Sequence, residues 1–248
     1  MASIFKASNT SRALRHPVAA LRFISGDKTE MHRCIILDAA QHLWGSGFDK
    51  NRWNSVIDEL NDDPLPPPDR TPSGLIVGNS LNNTFGKWIW CCVRILQPEV
   101  MIETGVAHGS SSRIILSAMH RNQKGMLFSI DLPNRDTNKN YNFESAKPET
   151  GWMVADKLRD RWSLRLGEAT ELLPAVLKET GQTDIFFHDS DHSYAHMKFE
   201  FETSAPYIKT GGLLLSDDVH KNSAFEEFVT GQSWKALQFN KGGCAIAP

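Results

Sequence analysis

After Pro98 the chain settles into a single rhythm, and that rhythm limits its fold more than any other feature. "EVMIET" is a short apolar strand, "SSRIILSAMHRN" a helix, and "GMLFSID" a second strand ending in an acid. "VADKLRDRW" then reads as helix, "SLRLGEA" as strand, "ELLPAVLKET" as helix and "TDIFFHD" as strand. "YAHMKFEFETSAPYI" (helix), "GGLLLSDD" (strand) and "SAFEEFVTG" (helix) follow, and "WKALQFNKGGCAIAP" closes as two strands around Lys-Gly-Gly. Strands separated by helices join by right-handed crossovers into a mostly parallel sheet with helices on both faces. In such α/β sheets ligands gather outside the carboxyl ends of the strands, near the point where strand order reverses. Four strand ends here carry glycine or acid: Glu103–Gly109, Asp131, Asp189–Asp191 and Asp217–Asp218.

The N-terminal third is organised differently. Residues 30–62 read as helical, 64–74 ("PLPPPDRTPSG") as an extended proline-rich connector, and Ser80 to Pro98 as one more helix. The expected division is therefore 1–79, an arm with helices and connector, and 80–248, the α/β domain. Residues 1–26 hold Lys6, Arg12, Arg15 and Arg22 with no acid before Asp27. Three readings stay open for them: a basic surface arm, a transit-like segment, or weak contact with an anionic membrane. A polar loop over 133–152, with Tyr141 and Trp152, is long enough to be a lid.

Lys plus Arg number 27 against 29 for Asp plus Glu, so no basic excess points to a nucleic-acid partner. Cys34, Cys91, Cys92 and Cys244 form no CxxC pair, which suits buried thiols in a reducing compartment; a cytoplasmic location is expected. No run approaches the roughly 20 apolar residues of a spanning helix.

Two clusters carry chemistry. In "ETGVAHGSSS" (103–112), Gly105 and Gly109 remove Cβ atoms where a strand becomes a helix, so a ligand can lie on the backbone. The dinucleotide fingerprint wants a third glycine that is absent here. Glu103 would also repel a pyrophosphate, and it suits a cationic or hydrogen-bond-donating ligand. The second cluster spans "FFHDSDHSYAH" (186–196) and "LLLSDDVH" (213–220). Asp189, Asp217 and Asp218 offer three carboxylates and no thiolate, which selects Mg²⁺, Mn²⁺ or Ca²⁺ over zinc. The plainer alternative is that Asp217 and Asp218 cap the following helix. His192 and His196 have the i, i+4 spacing of a zinc pair but lack a third ligand. His188 is expected to pack within the sheet and His196 to lie on the helix surface. His108 and His220 flank the site. Tyr194 lines the pocket or covers the start of its helix, and Trp152 is either core or a sugar-stacking platform.

These motifs together resemble the class I S-adenosylmethionine-dependent methyltransferases over roughly residues 80–248. The resemblance implies a Rossmann-like α/β fold: a mostly parallel seven-stranded sheet, an antiparallel last strand, helices on both faces and an N-terminal helical extension. "ETGVAHGSSS" resembles the family's first motif, so Glu103, Gly105, Ala107, Gly109, Ser110 and Ser111 would contact S-adenosylmethionine. "FSIDLP" resembles the second, with Asp131 and Leu132 at the ribose. "LGEA" places Glu168 and Ala169 at the adenine, and Asp189 would also face the cofactor. "DSDH" followed by "SDD" is similar to metal-dependent sugar and natural-product O-methyltransferases and to cephalosporin-hydroxylase-like proteins. That similarity implies Mg²⁺ (or Mn²⁺) on Asp189, Asp217 and Asp218, with Asp191 or His192 as the base. The implied activity is transfer of a methyl group to a hydroxyl of a small molecule or sugar, in a homo-oligomer. Two rivals stand beside it: a metal-dependent oxygenase or hydrolase on the same fold, and a non-catalytic cofactor-binding protein.

Overall fold

The computed structural model describes residues 5–7, 28–62, 84–133, 149–239 and 241–248. In chain order the elements are β1 (Phe5–Ala7), α1 (Thr29–Trp44), α2 (Lys50–Asp62), α3 (Thr84–Leu96), β2 (Val100–Thr104), α4 (Ser110–Asn122) and β3 (Met126–Asp131). Then come β4 (Trp162–Leu166), α5 (Ala169–Thr180), β5 (Thr183–His188), α6 (Tyr194–Ser204), β6 (Ile208–Ser216), α7 (Ala224–Gly231), β7 (Lys235–Phe239) and β8 (Gly242–Ile246).

All the strands belong to one sheet, ordered β1-β7-β8-β6-β5-β2-β3-β4. Every pairing is parallel except those of β8 with β6 and with β7. The chain winds outward from β2 through β3 to β4, then returns to the other side of β2 to lay down β5 and β6. The reversal therefore falls between β2 and β5, where the sequence put its glycine turn and its first acidic strand end. The expected seven strands and antiparallel last strand are present, and Phe5–Ala7, expected within the basic arm, adds an eighth strand beside β7.

The strands are apolar throughout because both faces are covered. Successive residues point to opposite sides, so Met101, Phe187 and Leu215 join one hydrophobic layer while Ile102, Phe186 and Leu214 join the other. The second layer is closed by α5, α6 and α7, through Leu173, Phe201 and Phe225. The first is closed by α3 and α4 together with α1 and α2, whose Ile36 and Trp53 are buried in it. Trp53 stacks on Trp88 of α3 with centroids 5.3 Å apart, and Trp44 lies 5.9 Å from Trp88. The helices before residue 63 are thus a covering layer of the same core. The proline-rich connector, Tyr141 and the expected boundary at 79/80 lie outside the described residues.

Two local expectations are corrected. "VADKLRDRW" forms only a 3-10 helix over Asp156–Arg161, leaving Trp162 to begin β4. At the C-terminus, Gly242 and Gly243 belong to β8 and not to the turn before it. The sheet needs them bare: a Cβ on Gly242 would stand 2.3 Å from the Phe85 ring, and one on Gly243 2.7 Å from the Phe225 ring. Among the described residues no helix is long and apolar enough to cross a membrane.

Candidate active site

Beyond the regular ladder, single backbone hydrogen bonds keep four strand ends level. Asp189 N donates to Thr104 O (2.8 Å), Gly105 N to Ile130 O (2.8 Å), Gly167 N to Asp131 O (2.8 Å) and Asp217 N to His188 O (2.9 Å). The glycine turn and the acids of β3, β5 and β6 therefore share one edge of the sheet.

The glycines of the first turn face protein backbone. Gly105 has φ +83°, and a Cβ there would stand 2.0 Å from the Asp189 carbonyl oxygen. Gly109 (φ +87°) would meet the Cα of Gly151 at 2.9 Å. Residues 150–154 lie across this turn. Gly151 N donates to Ala107 O (2.8 Å), Met153 N to His108 O (2.9 Å) and Trp152 Nε1 to His108 Nδ1 (3.1 Å). Trp152 is half-buried and tied down by this bond.

Beneath the turn, fully buried Glu103 accepts hydrogen bonds from Ser111 (2.7 Å), Ser112 (2.6 Å) and Ser129 (2.8 Å). Burial raises its pKa against the pull of those three hydroxyls. Asp131 is the group that shapes the turn from the side. It accepts from the backbone N–H groups of Val106 (3.1 Å), Ala107 (2.6 Å) and Leu132 (2.7 Å). Next to it, Leu132 and Leu166 are 52% and 53% exposed at the ends of β3 and β4, large apolar side chains left open to solvent. Glu168 is exposed at the N-cap of α5, and Ala169 is buried as its first residue. Ser110 opens α4, half-buried.

On the other side of the reversal point, a carboxylate organises the β5–α6 loop from below. Glu200 is fully buried and bonds His188 Nδ1 (2.6 Å), His196 Nε2 (2.9 Å), Ser190 Oγ (2.8 Å) and Thr104 Oγ1 (2.6 Å). Although burial opposes it, these donors, the two imidazoles foremost, bring its pKa down to about 2. His188 packs inside the sheet as expected, but His196 is no free surface residue, because its ring is anchored on Glu200. Glu200 was legible only as an anomaly: Met197, Glu200, Phe201 and Ser204 form an i, i+3, i+4, i+7 buried stripe, and an acid in such a stripe demands partners.

Above that base lie the acids. Asp189 keeps 30% of its side-chain surface accessible. Its pKa is raised well above the usual carboxylate range, first by burial and then by the charges of Asp217, Glu103, Asp218 and Asp131. His192 Nε2 is 3.7 Å from Asp189 Oδ1 and is buried without a hydrogen-bond partner. Burial, then His188 and Lys221, lower the His192 pKa and keep the ring neutral near pH 7. Asp191 is exposed and turned back onto Ser193, accepting from its N–H (2.9 Å) and its hydroxyl (3.1 Å), bonds that hold its pKa low. Neither Asp217 nor Asp218 caps α7, whose N-cap is Ser223 and whose first N–H is taken by Asn222 Oδ1 (2.9 Å). Asp218 is instead paired with Lys221 at 2.6 Å. Tyr194 bridges to Glu227 of α7 at 2.6 Å and so covers the start of α6.

Residues 102–219 match a family model described as a methyltransferase domain, a span that holds every strand end just described. That span is similar to a methyltransferase domain. Solved structures with the same fold include the O-methyltransferase TomG from Streptomyces achromogenes in complex with SAM: 17% identity, TM-score 0.52, covering 81% of this chain and 90% of that one. Cofactor-bound Rv0187 from MTB gives 14% identity and TM-score 0.52, covering 85% of this chain and 95% of that one. No curated protein matches the chain. The chain thus pairs a segment similar to a methyltransferase domain with the fold of a solved O-methyltransferase. One face of the sheet is closed by the N-terminal helices α1 and α2 together with α3 and α4.

Proposed function

We propose that this methyltransferase transfers a methyl group from S-adenosylmethionine to a hydroxyl of a small molecule or sugar, with a divalent cation on the acidic edge. The observation that carries the hydroxyl-directed reading is His192. Its neutral ring offers a buried nitrogen with no partner, 3.7 Å from an acid on the shared strand edge.

The cofactor half fits the residues present. Asp131 spends two contacts on the turn and one on Leu132, yet a carboxylate has about four acceptor sites, so a ribose hydroxyl can still donate to it. Leu132 and Leu166 form an open apolar rim beside it, suited to the flat faces of a purine. Glu103 supports the turn from below through Ser111 and Ser112. S-adenosylmethionine when bound supplies a methyl group already activated on a sulfonium centre.

The cation half is supported by donor chemistry. Asp189 and Asp217 are hard oxygen ligands on adjacent strands, and their mutual repulsion disfavours leaving both charged without a counter-ion. As the side chains stand, no three such groups among the described residues converge on one ion position, and Asp218 faces Lys221. Asp189, Asp217 and, once released, Asp218 would hold the cation, which when bound lowers the pKa of a hydroxyl. His192 is the residue that would take the hydroxyl proton, a role Asp191 fits poorly because both its oxygens are bonded to Ser193. A second reading, transfer without a cation, is favoured by the Asp218–Lys221 pair.

Methyl transfer assayed over a panel of catechols and sugar diols, with and without EDTA, separates the two. His192→Gln should lower kcat by about 10²–10⁴-fold while cofactor binding is kept. Unchanged turnover in that variant would remove the base, and full activity in EDTA would favour the cation-free reading.

A further inference from the structure

The two oxygens of Glu200 divide their partners. Oε2 takes Thr104 Oγ1 (2.6 Å) from the end of β2 and His188 Nδ1 (2.6 Å) from the end of β5. Oε1 takes Ser190 Oγ (2.8 Å) and His196 Nε2 (2.9 Å) from the loop and helix that follow. An ionised carboxylate can only accept, so the proton between Glu200 and His188 sits on Nδ1. In a neutral imidazole the other nitrogen is then bare. His188 Nε2 is buried with no hydrogen-bond partner, and so is His192 Nε2. The His188 ring is not free to exchange its two nitrogens. It is fully buried, with the Phe201 ring edge-on at 5.5 Å between centroids and the His192 ring edge-on at 5.3 Å. Two adjoining imidazoles that each keep an unpaired nitrogen in a buried place need a reason, because such groups are ordinarily satisfied.

Resting on the reading of His192 as the proton acceptor, we propose that Glu200 is a positioning residue for methyl transfer: it fixes the proton of His188 on Nδ1 and so keeps His192 Nε2 free for the acceptor hydroxyl. A proton on His188 Nε2 would be a buried donor beside the unpartnered nitrogen of the adjoining ring. Pairing of the two would occupy the lone pair that the reaction needs. Glu200 touches neither cofactor nor acceptor on this account and acts through His188. Its bonds to Ser190 and His196 serve the same end, since those residues flank His192 and fix the backbone that carries it. Thr104 is the comparison: it ties β2 to the same carboxylate oxygen without deciding where the His188 proton sits.

The test is side-chain nitrogen NMR of the full chain, labelled in histidine and held at neutral pH, in wild type, Glu200→Leu, Glu200→Gln and Thr104→Val. His188→Gln and His192→Gln assign the signals. Wild type should show His188 protonated on Nδ1 and bare on Nε2, with His192 bare on Nε2. Glu200→Gln should keep both, because its amide oxygen still accepts from Nδ1 while its amide hydrogens meet Ser190 and His196. Glu200→Leu should move the His188 proton to Nε2 and draw His192 Nε2 into a hydrogen bond, whereas Thr104→Val should leave both signals in place. With an acceptor from the panel of catechols and sugar diols, kcat should fall about 10- to 100-fold in Glu200→Leu and less than about 3-fold in Thr104→Val, with KM for S-adenosylmethionine kept in both. A wild-type His188 protonated on Nε2 overturns the proposal, and decides it even if Glu200→Leu fails to fold. Unchanged signals or turnover in Glu200→Leu overturn it too, as do equal losses in Glu200→Leu and Thr104→Val. Unchanged turnover in His192→Gln overturns the base reading and with it the catalytic part of the Glu200 role, while the His188 signal still reports where its proton sits.

Discussion

Gly105 illustrates what a residue can and cannot disclose. A glycine between a strand and a helix marks a close approach, and the approach is there, but the neighbour is the Asp189 backbone from the next strand. The identity of that neighbour depends on strand order, which no local pattern contains. The consequence is testable: Gly105→Ala combines a positive φ with a 2.0 Å clash against main chain that has no rotamer to give. It should destabilise the protein by about 3 kcal/mol or more in denaturant unfolding, and push apart the two strand ends that carry the turn and Asp189. A loss below about 1 kcal/mol would mean that the two backbones are not in contact. The acids themselves were legible, because a charge ending an apolar strand stands out against its own run. Glu200 was visible only as an acid out of place in a buried helix stripe, and Lys221 looks like any surface lysine.

Among elements, those with strong periodicity were readable and those defined by pairing were not. The alternation from β2 to α7 is present in the order expected, because covered strands and amphipathic helices carry their environment in their spacing. β1 is three residues whose only claim to be a strand is the register with β7. The glycines of β8 were misplaced into a turn because sequence cannot show two phenyl rings pressing on them. The N-terminal helices, read as an extension, are fastened to the core by α1. There His32 is 7% exposed, and burial, then Lys87 and Lys28, lower its pKa to about 4. The unfolded chain, with an ordinary pKa near 6.5, binds this proton first, so the group's contribution is complete above about pH 6.5 and is lost as pH falls towards 4. At full effect this is at most about 3 kcal/mol. Wild type minus His32→Leu unfolding free energy, measured from pH 7 to 4.5, should fall with acid; parallel curves would show that the imidazole is not buried neutral.

For the whole molecule, a net charge of only −2 conceals a concentrated negative edge where the charges of Asp217, Glu103, Asp218 and Asp131 raise the cost of ionising Asp189. An α/β sheet places such groups together because its crossovers return every strand in the same direction. That edge joins the Asp131 side, proposed to hold the nucleoside, to the His192 side, proposed to take the proton. The two halves are separable by experiment, since cofactor binding needs only the first. Calorimetric titration of the full chain with S-adenosylhomocysteine, beside Asp131→Asn, addresses that first half most directly. The account predicts one site in the wild type and affinity lowered by about 10-fold or more in the variant, the worth of one charge-assisted hydrogen bond. No heat from the wild type, or equal affinity in the two proteins, would contradict it.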